Sequence, residues 1–560
     1  MVRLSGIVLL LAACGDNAAR APDPHCADWH QWGNNAQHTG ASCATGQPLE
    51  RVLADIVFDP LVPDEVAAAD GDLIVHYQAP LVDGDRVFML RKGGTFTPCV
   101  EDMDPAMHCR HPEDLYRFAS QTWSEVGYRW EAGALVEQWT YESSWKPPPG
   151  REVVFQPVIA GAQVAVPIAS GGVAFLDEAG RVVRETRPFG HDENTYVIGA
   201  LAAFGDSVFY NAATFDHDDP YGRAIVATLV EIDGDGRVRT ARYDELVPGA
   251  PTKCYGSYDP VATPPPWPVI VDGVVQKPPL VDCGPQVPGM NQAVALAPDG
   301  TLYVATHAQG VARYSYVLSI NPGVFDVNWA VSLRDRLADG CFVSTECAAG
   351  APVGVEPQTG MAPAPEVTDD STSSPVVMPD GRVLYGSWSF YNGDRGHLFE
   401  LSRAGKVEGT YDFGWDLTPA VAMIDGATRI AVKDNHYGFN SPGGPYDLTM
   451  LNEGLAWQWQ FRSTNTRSCA RQPDGSVSCV DDHPTGFEWC INAPAIDAAG
   501  TLYANSEDGN LYAIGKDGQL RGNLLLDTAL GAAYTPVVLD REGRVYALNA
   551  GHLYVVGATP

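Results

Sequence analysis

The feature that most constrains this chain is a short strand grammar that returns eight times. Residues 490–520 show it plainly: an apolar run follows Pro494, a turn falls at Ala499-Gly500, and a second run occupies 501–505 (TLYAN). A polar loop, a third run at 510–514 (NLYAI) and another glycine turn at Asp517-Gly518 complete the unit. Short alternating runs divided by Gly-containing turns are antiparallel strands, not helices. The first turns of the eight copies are Asp83-Gly84, Ala160-Gly161, Gly205-Asp206, Asp299-Gly300, Asp380-Gly381, Asp425-Gly426, Ala499-Gly500 and Glu542-Gly543. Seven copies continue through a second turn, at Gly133, Gly180, Gly236, Gly323, Gly405, Gly454 and Gly518, into a fourth strand. A supersecondary unit repeated this way builds a solenoid, a propeller or an array.

The eighth copy stops after its third strand, 553–556 (LYVV), whereas residues 50–58 (ERVLADIVF) read as a strand that precedes the first copy. Pairing the two would close a ring and remove the exposed edges. The expectation is an all-β, eight-bladed β-propeller of four-stranded blades, closed by an N-terminal strand and forming one domain over 29–560. A seven-bladed ring, with one copy misread, is the alternative. Gly (57) and Pro (43) suit a fold of many turns. The almost uncharged segment 158–176 contains Pro167 and Gly171-Gly172, so it reads as two buried strands and not as a membrane helix.

The start of the chain suggests an address. Arg3, an apolar run at 7–11 and Leu11-Ala12-Ala13-Cys14 resemble the bacterial lipobox, with 1–13 as signal peptide and Cys14 as the lipidated residue. The run is too short to span a bilayer. Residues 14–28 would be a tether, and Gly15 after the cysteine favours the outer membrane by the same resemblance. The expected location is exported and lipid-anchored, periplasmic or at the cell surface. A formal net charge of -33 argues against nucleic acid as a partner.

Of twelve cysteines, eleven remain once Cys14 is set aside. Export makes disulfides the default. Nearness in sequence suggests Cys26 with Cys43, Cys99 with Cys109, Cys254 with Cys283, and Cys341 with Cys347. Cys469, Cys479 and Cys490 form a group in which one is left over.

The turns P-x-[VI]-x-x-D-G-x-[VL]-Y and G-x-L-[YF]-x-[LI] resemble the repeats of pyrroloquinoline-quinone-type propellers. Residues 29–40 (WHQWGNNAQHTG) resemble their N-terminal W-x-x-x-G-x-x-x-x-x-T-G element. That superfamily includes quinone-dependent dehydrogenases and non-enzymatic lipoproteins, among them the propeller subunit of the outer-membrane barrel-assembly machinery. Two departures count against the enzymes. The dehydrogenases carry adjacent cysteines against the quinone, and this chain has none. They also repeat a Trp docking motif in nearly every blade, where only Trp139, Trp329 and Trp457 or Trp459 are suitably placed here. No catalytic residue is assigned, and the quinone is not expected as a cofactor.

In a blade, both tight turns lie on one face, and the loops between strands two and three and between blades lie on the other. The large insertions, 91–128, 211–223, 244–289, 330–372, 387–396, 433–445 and 461–488, all belong to the second set. Long loops on one rim of a rigid scaffold are where binding resides. Candidate rim residues are Gln78, Gln156, Ser374, Thr418, Asn492 and Thr535, which precede innermost strands, with the aromatics Trp388, Tyr391 and Tyr437. Capping of strand ends and loop-on-loop packing are the plainer alternatives for these. Asp216, His217, Asp218 and Asp219 could hold calcium through oxygen ligands, or stand as solvated loop acids. No G-x-S-x-G elbow, Walker loop or HExxH occurs. The expected function is a monomeric, membrane-anchored, non-catalytic scaffold that presents a disulfide-braced loop face to a protein or glycan partner. The alternatives are a quinone-dependent dehydrogenase and a carbohydrate-active propeller enzyme using rim carboxylates such as Asp192 or Glu193.

Overall fold

The computed structural model describes residues 28–558 apart from 69–72, 74, 98–117, 152, 220–221, 338–346, 390–394, 438–442 and 532–533. Eight antiparallel sheets follow one another along the chain. Blade 1 is Leu81–Asp83, Arg86–Gly94, Gln121–Glu131 and Ala134–Ser143; blade 2 is Val158–Ala160, Gln163–Ile168, Gly172–Leu176 and Val182–Thr186. Blade 3 is Thr195–Phe204, Ser207–Phe215, Ala224–Ile232 and Val238–Arg242. In blade 4 the innermost run is split into Gln286–Pro288 and Ala295–Leu296, both paired with Leu302–Ala308, and Val311–Ile320 and Val327–Ser332 follow. Blade 5 (Val376–Val377, Val383–Ser387, His397–Leu401, Val407–Asp412) and blade 6 (Ala420–Ile424, Ala427–Asn435, Tyr446–Asn452, Trp457–Arg462) keep the simple order. So does blade 7 (Ala495–Ile496, Leu502–Asn505, Asn510–Ile514, Leu520–Leu525).

Blade 8 has the order Val538–Leu539, Val545–Asn549, His552–Gly557 and, outermost, Arg51–Val57, which pairs antiparallel with the last strand from Arg51 opposite Gly557 to Val57 opposite His552. The ring is therefore eight-bladed, not seven-bladed, and the N-terminal strand closes it. The uncharged segment 158–176 supplies three strands of blade 2, not the two expected, because the turn at Gly161 divides its first half. Among the described residues no helix is long and apolar enough to cross a membrane. A short helix, Val62–Ala68, follows the closing strand. Lys92 of blade 1 clamps it with buried ion pairs to Asp59 (2.8 Å) and Glu65 (2.7 Å).

The residues before the closing strand act as a hub. Their backbone meets the blades in ring order, at the tight-turn ends of the innermost strands. Trp29 O accepts from Val82 N of blade 1 (2.8 Å), His30 O from Ile159 N of blade 2 (2.9 Å), and the Gln31 side chain pairs with the Ala203 backbone of blade 3. Ala36 O, Gln37 O, Thr39 O and Gly40 O then accept from Leu296, Val377, Val421 and Ile496 of blades 4 to 7, and Gln47 N donates to Gly543 O of blade 8. Gly40 is fixed by geometry: φ is +61°, and a Cβ would stand 2.8 Å from Pro494 O. The hub satisfies inner-strand groups that would otherwise be buried without partners. It also lies across the turn-face end of the channel.

Three tryptophans lock neighbouring blades from outside. Trp139, Trp329 and Trp459 each lie in an outermost strand and donate Nε1–H to a carbonyl in the second turn of the next blade, Glu178 (3.0 Å), Arg403 (2.9 Å) and Lys516 (2.9 Å). The indoles stand over Gly180, Gly405 and Gly518. Of the two indoles left open by sequence, Trp459 docks, whereas Trp457 is 57 % exposed.

Candidate functional site

With the turn face covered by the hub, the channel is approached from the loop face. The chain entering blade 1 carries His76, and the chain entering blade 6 carries Asp416; Nε2 of the imidazole lies 3.1 Å from Asp416 Oδ2. Both side chains are buried, so this contact crosses the ring between blades that are not neighbours. Asp416 Oδ1 also accepts from Thr372 N (2.7 Å), Thr372 Oγ1 (2.7 Å) and Ser371 Oγ (3.2 Å). Burial opposes the charge on Asp416, but the His76 hydrogen bond and charge, with Lys433 and Thr372, hold its carboxyl below the ordinary value. Tyr534, entering blade 8, stacks on the imidazole at 4.4 Å.

Beside this bridge lies an acidic group built by blades 6 and 7. Cys490 Sγ donates to Glu507 Oε1 at 2.9 Å. Burial and the Glu507 charge push that thiol well up, so it is a protonated donor and not a nucleophile. Burial and the same neighbour raise Glu488 to about 8, against the pull of Lys433. Burial likewise raises Asp370, whose side chain stays in contact with solvent, as a group lining a recess does. Carboxyl oxygens in such a group can accept hydrogen bonds from a ligand.

The sequence candidates fall in several places. Gln78, Gln156, Ser374, Thr418, Asn492 and Thr535 are all buried. Most of their hydrogen bonds join blades to one another or to the hub: Gln156 Oε1 accepts from Ala79 N (2.7 Å), Ser374 Oγ from Ala293 N (2.9 Å) and Thr418 Oγ1 from Trp32 Nε1 of the hub (3.0 Å). Asn492 Nδ2 donates to Tyr534 O (2.7 Å), and Thr535 Oγ1 accepts from Asn505 Nδ2 (2.9 Å). Gln78 Nε2 donates to Glu125, whose carboxyl burial raises to about 8. Trp388 is partly buried and faces Trp415 at 6.3 Å, and the Tyr437 hydroxyl accepts from Asn435. Tyr391 lies outside the described residues.

Asp216, His217, Asp218 and Asp219 are exposed, and Asp216 Oδ1 is taken by Asp218 N (3.0 Å) in a turn. Among the described residues no three acidic, His or Cys side chains gather as a metal site. Asp192 caps its own turn, accepting from Asn194 N and Thr195 Oγ1.

The disulfides Cys254–Cys283 and Cys469–Cys479 are formed, and Cys43 is also disulfide-bonded. Cys490 is the leftover thiol. Cys347 is free, which corrects the expected pairing with Cys341: its backbone instead forms a bridge with Trp267. Cys14, Cys26, Cys99, Cys109 and Cys341 lie outside the described residues.

His76, Asp370, Asp416, Glu488 and Glu507 were invisible as a group in the sequence, because each precedes or follows a different strand. Only their shared position, next to innermost strands on the insertion-bearing face, could have flagged them.

No protein-family model matches this chain, and no curated protein matches it. Among solved structures, quinohemoprotein alcohol dehydrogenase from Comamonas testosteroni has a TM-score of 0.51 at 12% identity, over 95% of this chain and 81% of that one. A europium-containing methanol dehydrogenase gives 0.48 at 11% identity, over 93% and 89%. BamB from Moraxella catarrhalis gives 0.38 at 12%, over 77% and 88%. Identities this low speak to fold alone. The class these findings define is an all-β, eight-bladed propeller of four-stranded antiparallel blades.

Proposed function

We propose that this chain is a membrane-anchored, non-catalytic propeller that presents its loop face to a protein or glycan partner. The observation that carries this reading is the one-sided build of the ring. The hub and short turns occupy one face; on the other, the insertions are pinned by Cys254–Cys283 and Cys469–Cys479 and knitted to each other. Tyr258 N donates to Gln358 O (2.8 Å) and Arg395 pairs with Asp434, while Ala529 N, in the link between blades 7 and 8, donates to Cys469 O (2.8 Å). Loops braced before binding lose less conformational freedom on binding. The anchor is Cys14, on the lipobox-like run alone, with the outer membrane favoured.

A quinone fits poorly with the residues present. There is no adjacent cysteine pair, and His76, Asp416 and Tyr534 meet across the channel where a flat ring system would need a slot. Cell fractionation joined to crosslinking is the test. Wild-type protein should sediment with membranes and carry an attached macromolecule, and Cys14→Ser should release it to the soluble fraction. Soluble wild-type protein with nothing attached would overturn the reading, as would stoichiometric quinone uptake with dye-linked alcohol oxidation.

A further inference from the structure

A recess of about 600 Å³ lies where the insertions of blades 3 and 4 meet the chain that leads into blade 5. Its walls come from five separate stretches. Arg223 belongs to the 211–223 loop; Ser257 follows the strand Lys253–Tyr255, and Asp282 ends the strand Leu280–Asp282 paired with it; Arg313 follows the turn at Gly310; and Glu366 lies late in the 330–372 insertion. This volume suits a small molecule or the end of a chain, roughly one to three sugar rings.

The chemistry of the walls is mixed. Among the described residues, neither the Arg223 guanidinium nor the Glu366 carboxylate has a hydrogen-bonding partner, although Arg223 is exposed and Glu366 is held in place by backbone bonds to Trp388. Arg313 is positioned at the back by Glu356 (3.4 Å) and Ser257 Oγ (3.3 Å). We propose that this recess binds a sugar acid, its carboxylate held by Arg223 and Arg313 and its hydroxyls by Glu366 and Ser257.

Three points select this class. A protein of net charge -33 repels anions in general, so two guanidiniums facing one recess form a local exception suited to a single carboxylate. A doubly charged phosphate would meet Glu366 and Asp282 at close quarters. Burial raises the Glu366 carboxyl to about 7 against the pull of Arg313, so near neutrality it can both donate and accept, as a hydroxyl does. Among the described residues no aromatic ring lines the recess, and its polar side chains offer hydrogen bonds and charge.

This assignment rests on the reading of the loop face as the binding face, and the test separates the two. Calorimetric titration of the full chain with sodium D-galacturonate, its linear trimer and neutral D-galactose should show binding of the acids only. Trimer binding at least as tight as monomer binding identifies a polysaccharide end as the source, and binding of the monomer alone identifies the free acid. Arg223→Ala, at an exposed position, should weaken binding about tenfold, the value of one charge-assisted hydrogen bond. Glu366→Gln should retain binding and Glu366→Ala should lose it. Failure of both acids to bind, equal binding of galactose, or an unchanged Arg223→Ala would overturn the assignment. If the wild-type protein still crosslinks to a macromolecule through the loop face, the proposed function survives that failure.

Discussion

His76 and Asp416 stand 340 positions apart in the chain, on blades 1 and 6, and meet at 3.1 Å on the loop-face side of the channel. A bond between non-neighbouring blades ties the ring across its middle, as the tryptophans tie it around its rim. His76→Ala would leave Asp416 a buried carboxylate short of a partner. The expected loss is about 3–5 kcal/mol, read from urea unfolding.

Asp416 also makes a pH prediction. Its carboxyl is lower in the folded chain than in the unfolded one, so its contribution is present above the unfolded value of about 3.9 and is lost as pH falls through the folded value. Asp416→Asn should unfold more readily at neutral pH and show a flatter stability profile below about pH 4.

Glu125 makes the opposite prediction. Burial raises its carboxyl to about 8, so the folded chain holds that proton more tightly than the unfolded one. Its contribution is full below the unfolded value and fades as pH climbs towards 8. Glu125→Gln can keep a bond to Gln78 without the buried charge. It should be more stable than wild type at pH 9, by on the order of a few kcal/mol, and close to it at pH 5.

The rim locks can be tested at two glycines with nearly equal backbone. Gly405 has φ +76° and a Cβ there would stand 2.7 Å from the Trp329 indole; Gly426 has φ +77° and nothing within 4 Å. Gly426→Ala should cost about 1 kcal/mol from its backbone alone. Gly405→Ala should cost at least 1 kcal/mol more, because the indole must also move. Equal melting shifts would contradict the docking geometry.

The strands, the closing segment and the sidedness of the insertions were legible because each follows from local pattern. Alternation and glycine turns mark strands such as Asn510–Ile514, and a ring with an unpaired edge demands residues such as Arg51–Val57. The Trp139, Trp329 and Trp459 docks were half legible: their spacing from a glycine turn is local, but the turn they reach belongs to the next blade. The hub residues carry a recognisable motif, yet nothing in it says that eight blades are touched in order. The His76–Asp416 bridge and the Glu488–Cys490–Glu507 group were not legible, since contacts between entrances to different blades leave no periodic trace. Cys347 was misassigned because nearness in sequence says little about where a long insertion folds.

The central claim is that the loop face, and not the turn face, meets a partner. Photo-crosslinking residues placed in cells at Val261 and Val480, exposed positions in two insertions, and at Arg181 and Asp235, exposed positions in second turns, test it most directly. The account predicts covalent adducts of increased mass from Val261 and Val480, and none from Arg181 and Asp235. Adducts that form at the turn positions instead, or equally at both faces, would contradict it.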